Sequence, residues 1–163
     1  MLVLGVGGGA IGAWRLLPAD FDPKIFPIAA VQEARAAGLE GRMFHEFVWG
    51  GYLLLRWPEQ RVFIDGGTDF YGENLYRQAI EIITLRPGWR DSLDTHGVQL
   101  VLLPVEAPMA HELVRDAAWD TWYCDPTAVM LVRKRTSLPA PPGNRTYDLV
   151  ECSRAQKDAE ETR

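Results

Sequence analysis

The chain holds only two cysteines, Cys124 and Cys152, among its 163 residues. Two are too few for a disulfide framework, and they do not report a redox compartment. The three histidines, His45, His96 and His111, show no local metal-ligand spacing and sit in no cysteine-rich setting. None of the serines, Ser92, Ser137 and Ser153, lies in a G-x-S-x-G, so a serine-hydrolase elbow is excluded. There is no G-x-x-x-x-G-K-S/T run, which removes the P-loop. Basic charge is also short. Seventeen Lys and Arg stand against 22 Asp and Glu, for a net charge of −5, which is not the footprint of a general nucleic-acid binder. No uncharged run reaches the ~20 residues that a complete membrane-crossing helix needs.

Hydrophobic residues make up 47% and charged residues 24%, both near globular averages, so wholesale disorder and fibrous architectures are excluded. The length suits one domain plus tails. The least ordinary stretch is Met1 to Trp14, MLVLGVGGGAIGAW, which carries no charge. No basic residues precede its apolar part and no cleavage signature follows, so it is a poor signal peptide. Three readings compete. Gly7, Gly9 and Gly12 spell G-x-G-x-x-G, with Glu33 near the distance at which a dinucleotide fingerprint places its ribose-binding acid. Against this, Pro18 leaves room for only a short helix after the glycines. Alternatively, the segment is the end of a membrane-spanning helix, with Trp14 and Arg15 in the interface. The third reading is a partly buried arm. Composition favours the membrane helix, with residues 1–18 as an apolar segment, 19–134 as a folded α/β domain, and 135–163 as a Pro-rich linker and charged, flexible tail.

Within the domain, helices and strands alternate. Helices are expected over Pro27–Ala37, Trp49–Trp57, Asn74–Thr84, Trp89–Thr95 and Pro108–Ala118. The third carries Leu75, Ala79, Ile82 and Ile83 in one apolar stripe. Strands are expected over Arg42–Val48, Arg61–Asp65, Val98–Leu103, Thr121–Cys124 and Ala128–Arg133, the last two joined as an antiparallel hairpin by Asp125-Pro126-Thr127. This alternation predicts a Rossmann-like three-layer α/β sandwich. Its sheet would be mostly parallel, of about five strands, with the hairpin at its C-terminal end and an apolar membrane-type helix ahead of it. Cys124, in an apolar strand, reads as inert. The tail after Glu151 reads as mobile, or as a helix without a partner in this chain.

Two clusters can carry chemistry. Asp65-Gly66-Gly67-Thr68-Asp69-Phe70-Tyr71-Gly72 follows an expected strand, where open α/β sheets bind ligands. Asp65 and Asp69 can hold a divalent cation or accept hydrogen bonds from sugar hydroxyls, and Tyr71 offers a ring face. Equally, these residues are ordinary turn and capping chemistry. The second cluster is Phe44 to Tyr52. Gly50-Gly51 permits a sharp turn, and Trp49 and Tyr52 are core or contact aromatics. His45 beside Glu46 is no dyad, because adjacent strand residues point to opposite faces. The ligand-contact candidates are therefore Trp49, Gly50, Gly51, Tyr52, Asp65, Gly66, Asp69 and Tyr71. No catalytic residue, metal site or cofactor is assigned. Gly7, Gly9, Gly12 and Glu33 are held for the nucleotide-binding alternative.

The stretch FDPKIFPIAAVQEARAAGLEGRMFHEFVWGGYLLLRWPEQRVFIDGGTDFYG, with GWRDSLDTHGVQLVLLP and the closing AVMLVRK, resembles the C-terminal soluble domain of a group of bacterial polytopic membrane proteins. These look like C-type glycosyltransferases, which use lipid-linked sugar donors. The resemblance covers about two-thirds of the chain, and His45 and Gly67 depart from the family's pattern. It implies a final membrane helix running directly into the domain, here Leu2 to Leu17 followed by Phe21-Asp22-Pro23. It also implies an extracytoplasmic position at a bacterial inner membrane and contact with glycan or a lipid-linked sugar acceptor. The family's presumed catalytic acid lies between early membrane helices that these 163 residues do not include. The resulting expectation is an accessory interaction domain, not catalytic alone. The alternative is a soluble Rossmann-like nucleotide-binding enzyme.

Overall fold

A computed structural model describes residues 21–64, 68–134 and 137–161. The elements are α1 (Ile28–Ala36), β1 (Met43–His45), a 3-10 turn (Phe47–Trp49), α2 (Gly50–Arg56), α3 (Thr68–Ile83) and α4 (Trp89–Thr95). They continue with β2 (Leu100–Pro104), α5 (Pro108–Val114), β3 (Trp119–Cys124), β4 (Ala128–Arg133), a second 3-10 turn (Pro142–Asn144) and α6 (Leu149–Glu161). The expected apolar helix of residues 1–18 lies outside the described residues. Among those described, no helix is long and apolar enough to cross a membrane.

The mostly parallel, five-stranded, Rossmann-like sheet is not what forms. Among the described residues the sheet has four strands in the order β1-β2-β4-β3, and only β1 and β2 run parallel. Two physical causes account for the difference. First, the β3–β4 hairpin folds inward, so β4 pairs antiparallel with β2, with Leu102 opposite Met130. The Asp125 carboxylate sets that turn by accepting the backbone N–H groups of Thr127 and Ala128 at 2.7 and 2.8 Å. Second, the expected strand from Arg61 is irregular over 61–64. Ile64 is still buried, to 1% exposure, Val62 and Phe63 are partly buried, and the Phe63 ring lies 5.0 Å from Phe44. Yet the Phe63 N–H donates to the His45 ring rather than to a strand. Burial was satisfied there without a ladder.

Alternation along β2 divides the core. Leu100 and Leu102 face α1, α2, Trp49 and Trp57, while Val101 and Leu103 face Ile82, α4 and α5. β2 and β4 are apolar because they are central and covered on both faces, not because they are parallel. Gly72, at φ 75°, divides α3 into a short segment and the apolar-striped helix expected after it.

The C-terminal part also differs from expectation. Residues 149–161 form a helix with a partner. Leu149 enters the core, and Cys152 is disulfide-bonded to Cys124 on β3, with Cα atoms 6.2 Å apart. Cys124 is thus neither free nor isolated.

Candidate functional site

The site builds up where α1 and α2 cover the same face of the sheet. In α1, Ala30, Val31 and Ala34 are buried, and the small alanines let the helix approach the sheet closely. Gln32, Glu33 and Arg35 are left on its outer side. In α2, Gly50, Tyr52 and Leu53 turn inward. Arg35 and Arg56 are 21 positions apart, and the helix contact brings them together: Arg35 Nη1 donates to the Arg56 carbonyl at 2.8 Å. Arg35 Nη2 donates to Glu59 Oε1 at 3.1 Å.

Between these helices and Phe21 lies a recess of about 440 Å³, lined by Phe21, Ile28, Gln32, Arg35, Tyr52 and Arg56. The Phe21 ring meets Tyr52 edge-on at 4.9 Å and Phe26 at 4.7 Å. The Arg56 guanidinium sits 5.5 Å from the Phe21 ring centroid, within cation–π range. Burial pushes the Tyr52 phenol above its ordinary pKa, with Arg56 pulling the other way. The Tyr52 hydroxyl is therefore held in its protonated form and is available as a donor to a ligand. The recess offers guanidinium donors, an amide and aromatic faces. That set suits a ligand with an anionic group beside an apolar or ring-shaped body.

The structure separates the residues expected at the site. Tyr52 lines the recess. Trp49 does not: it is 2% exposed, its ring is packed in the core, and its indole N–H donates to the Ile25 carbonyl at 2.9 Å. Gly50 is buried, and Gly51 is open. Asp69 and Tyr71 lie in the first segment of α3, before the Gly72 break. Asp65 and Gly66 lie outside the described residues, as do Gly7, Gly9 and Gly12. Glu33 sits on the outer side of α1, in the middle of the helix, and not beyond a strand's carboxyl end, where a ribose-binding acid belongs. Sequence reasoning missed Arg35, Arg56, Gln32 and Phe21. No local motif links them, and only the α1–α2 packing does.

His45 is structural. Phe63 N–H donates to its Nε2 at 3.1 Å, so that nitrogen is an acceptor and Nδ1 carries the proton, facing the Glu46 carbonyl at 2.9 Å. Among the described residues, no three His, Cys, Asp or Glu side chains are grouped to hold a metal ion. Compared with family models, with curated proteins and with solved structures, the chain matches none.

Proposed function

We propose that this chain is an extracytoplasmic interaction domain of a membrane glycosyltransferase-like protein, without transferase activity of its own. The observation that carries this reading is the recess at the α1–α2 corner, where Arg35 and Arg56 meet the rings of Phe21 and Tyr52. The expected apolar segment, residues 1–18, ends close by in the chain. Leu17 is four Cα steps from Phe21, which limits their separation to ~14 Å. In this reading residues 1–18 hold the domain at the membrane. The recess then faces the zone where a lipid-linked sugar presents its phosphate, or an acidic glycan its carboxylate. The Cys124–Cys152 bond supports the outer side of a bacterial inner membrane, because disulfides persist in oxidising compartments and are rare in reducing ones.

The test is a titration of the full chain with lipid-linked sugar in nanodiscs, followed by an assay for sugar transfer to a glycan acceptor. Saturable binding is expected, weakened about tenfold by Arg56→Ala through loss of one charge-assisted contact, with no transfer by the chain alone. Transfer by the isolated chain, or binding indifferent to Arg56→Ala, would contradict the proposal.

A further inference from the structure

The α2 helix is apolar on both sides. Tyr52 and Leu53 enter the core, and Trp57 follows them at the helix end. On the outer side, Leu54 is 46% exposed and Leu55 58%. The preceding turn adds Val48, 66% exposed, in helical spacing with Gly51 and Leu55. Ile25, 57% exposed, joins the same corner through its carbonyl, which accepts the Trp49 indole N–H. A helix that faces water normally places polar residues outward, and one that is apolar all round normally has cover on both sides. Clustered exposed aliphatic side chains of this kind mark a contact surface.

Two observations identify what covers it. Basic residues flank the aliphatic ones directly: Lys24 precedes Ile25, and Arg56 follows Leu54-Leu55. Long basic side chains beside apolar ones are the pattern of the lipid interface, where the stem lies along apolar surface and the charge reaches the phosphates. Nearby, Asp22 and Glu59 carry the opposite sign, and Glu59 is paired with Arg35. The second observation is connectivity. Phe21, whose ring packs on Tyr52 of α2, lies three positions after the expected apolar segment 1–18 and joins it to the domain. The patch therefore belongs to the corner of the domain that the tether holds nearest to wherever that segment inserts.

We propose that the outer face of α2, with Val48 and Ile25, lies on the bilayer surface. Its aliphatic side chains sit at the headgroup–acyl boundary, with Lys24 and Arg56 at phosphate level. This rests on the membrane attachment proposed above and adds the orientation of the domain on the membrane. With α2 against lipid, the recess between α1 and α2 opens along the membrane plane, and α5, on the other face of the sheet, points away.

The test uses the full chain with its native disulfide and one added cysteine carrying an environment-sensitive dye. Leu55→Cys samples the patch, and Arg115→Cys, just after α5 with its side chain 77% exposed, samples the far face. Each is mixed with vesicles of phosphatidylcholine containing about one quarter phosphatidylglycerol and a brominated lipid, and pelleting is followed in parallel. The dye at position 55 should be quenched roughly threefold or more strongly than at 115, and less so without the anionic lipid. Equal weak quenching at both positions in pelleted chain overturns this inference and leaves the membrane attachment standing. A dye at 55 already shielded before vesicles are added shows that residues 1–17 or a second copy cover the face, and also overturns it. Failure to pellet removes the membrane attachment and this inference with it.

Discussion

Both ring nitrogens of His45 are engaged, and the side chain is 1% exposed. It stands in for a neighbouring strand by accepting the Phe63 N–H. Replacing it with Ala leaves a cavity and an orphaned backbone donor. The expected loss is about 2–4 kcal/mol in denaturant unfolding. His45→Gln, which keeps an acceptor, should cost less. Tyr123 supplies a second expectation. Burial, then the adjacent Asp125 carboxylate, which accepts its hydroxyl at 3.0 Å, push its phenol well above the ordinary value of 10.0. The folded chain therefore holds this proton where the unfolded chain releases it. That contribution is whole below pH 10.0 and is lost as pH rises from there toward the raised value. Melting temperature should fall above about pH 10, and Tyr123→Phe should flatten the fall. Neither role was legible in the sequence. His45 stood beside Glu46 and drew attention to the wrong neighbour, because the partner that matters lies 18 positions away.

Elements with strong local signals were legible. Trp89–Thr95 and Ala128–Arg133 form a helix and a strand with the expected bounds, and α1 and α2 fall within theirs. Periodicity and the Gly and Pro stops suffice for these. The segment from Arg61 was misread because an apolar run reports burial, and burial does not require a ladder. The tail was misread because its charge outweighed two anchoring residues, Leu149 and Cys152, that lie on one side of a helix by i, i+3 spacing. The disulfide makes this element testable. It closes a separation of 28 residues, which corresponds to about 3–4 kcal/mol of unfolded-state entropy. Cys152→Ser should lose most of that in chemical denaturation. It should also raise hydrogen exchange in α6, while α1 and α2 stay protected.

At the scale of the whole molecule, strand order was the unreadable part. The same sequence of elements is compatible with a parallel sheet until the hairpin chooses its neighbour. That choice is made by which edge of β4 covers β2, a contact between residues about 30 apart. The recess escaped the sequence for the same reason, since Arg35 and Arg56 become neighbours only through the packed helices. The two faces of the sheet carry different features. The α1–α2 layer carries the recess, the aliphatic corner and Phe21. The opposite face carries α3, α4, α5 and the helix clasped by the disulfide.

The claim that this domain works outside the cytoplasm is tested most directly by the oxidation state of its two cysteines in the cell. Bacteria producing the full chain are quenched in acid, and the protein is denatured, treated with an alkylating maleimide and weighed. The account predicts that Cys124 and Cys152 are joined, so the mass is unchanged until a reductant is added. A chain that takes up a maleimide on each cysteine without reduction would contradict it.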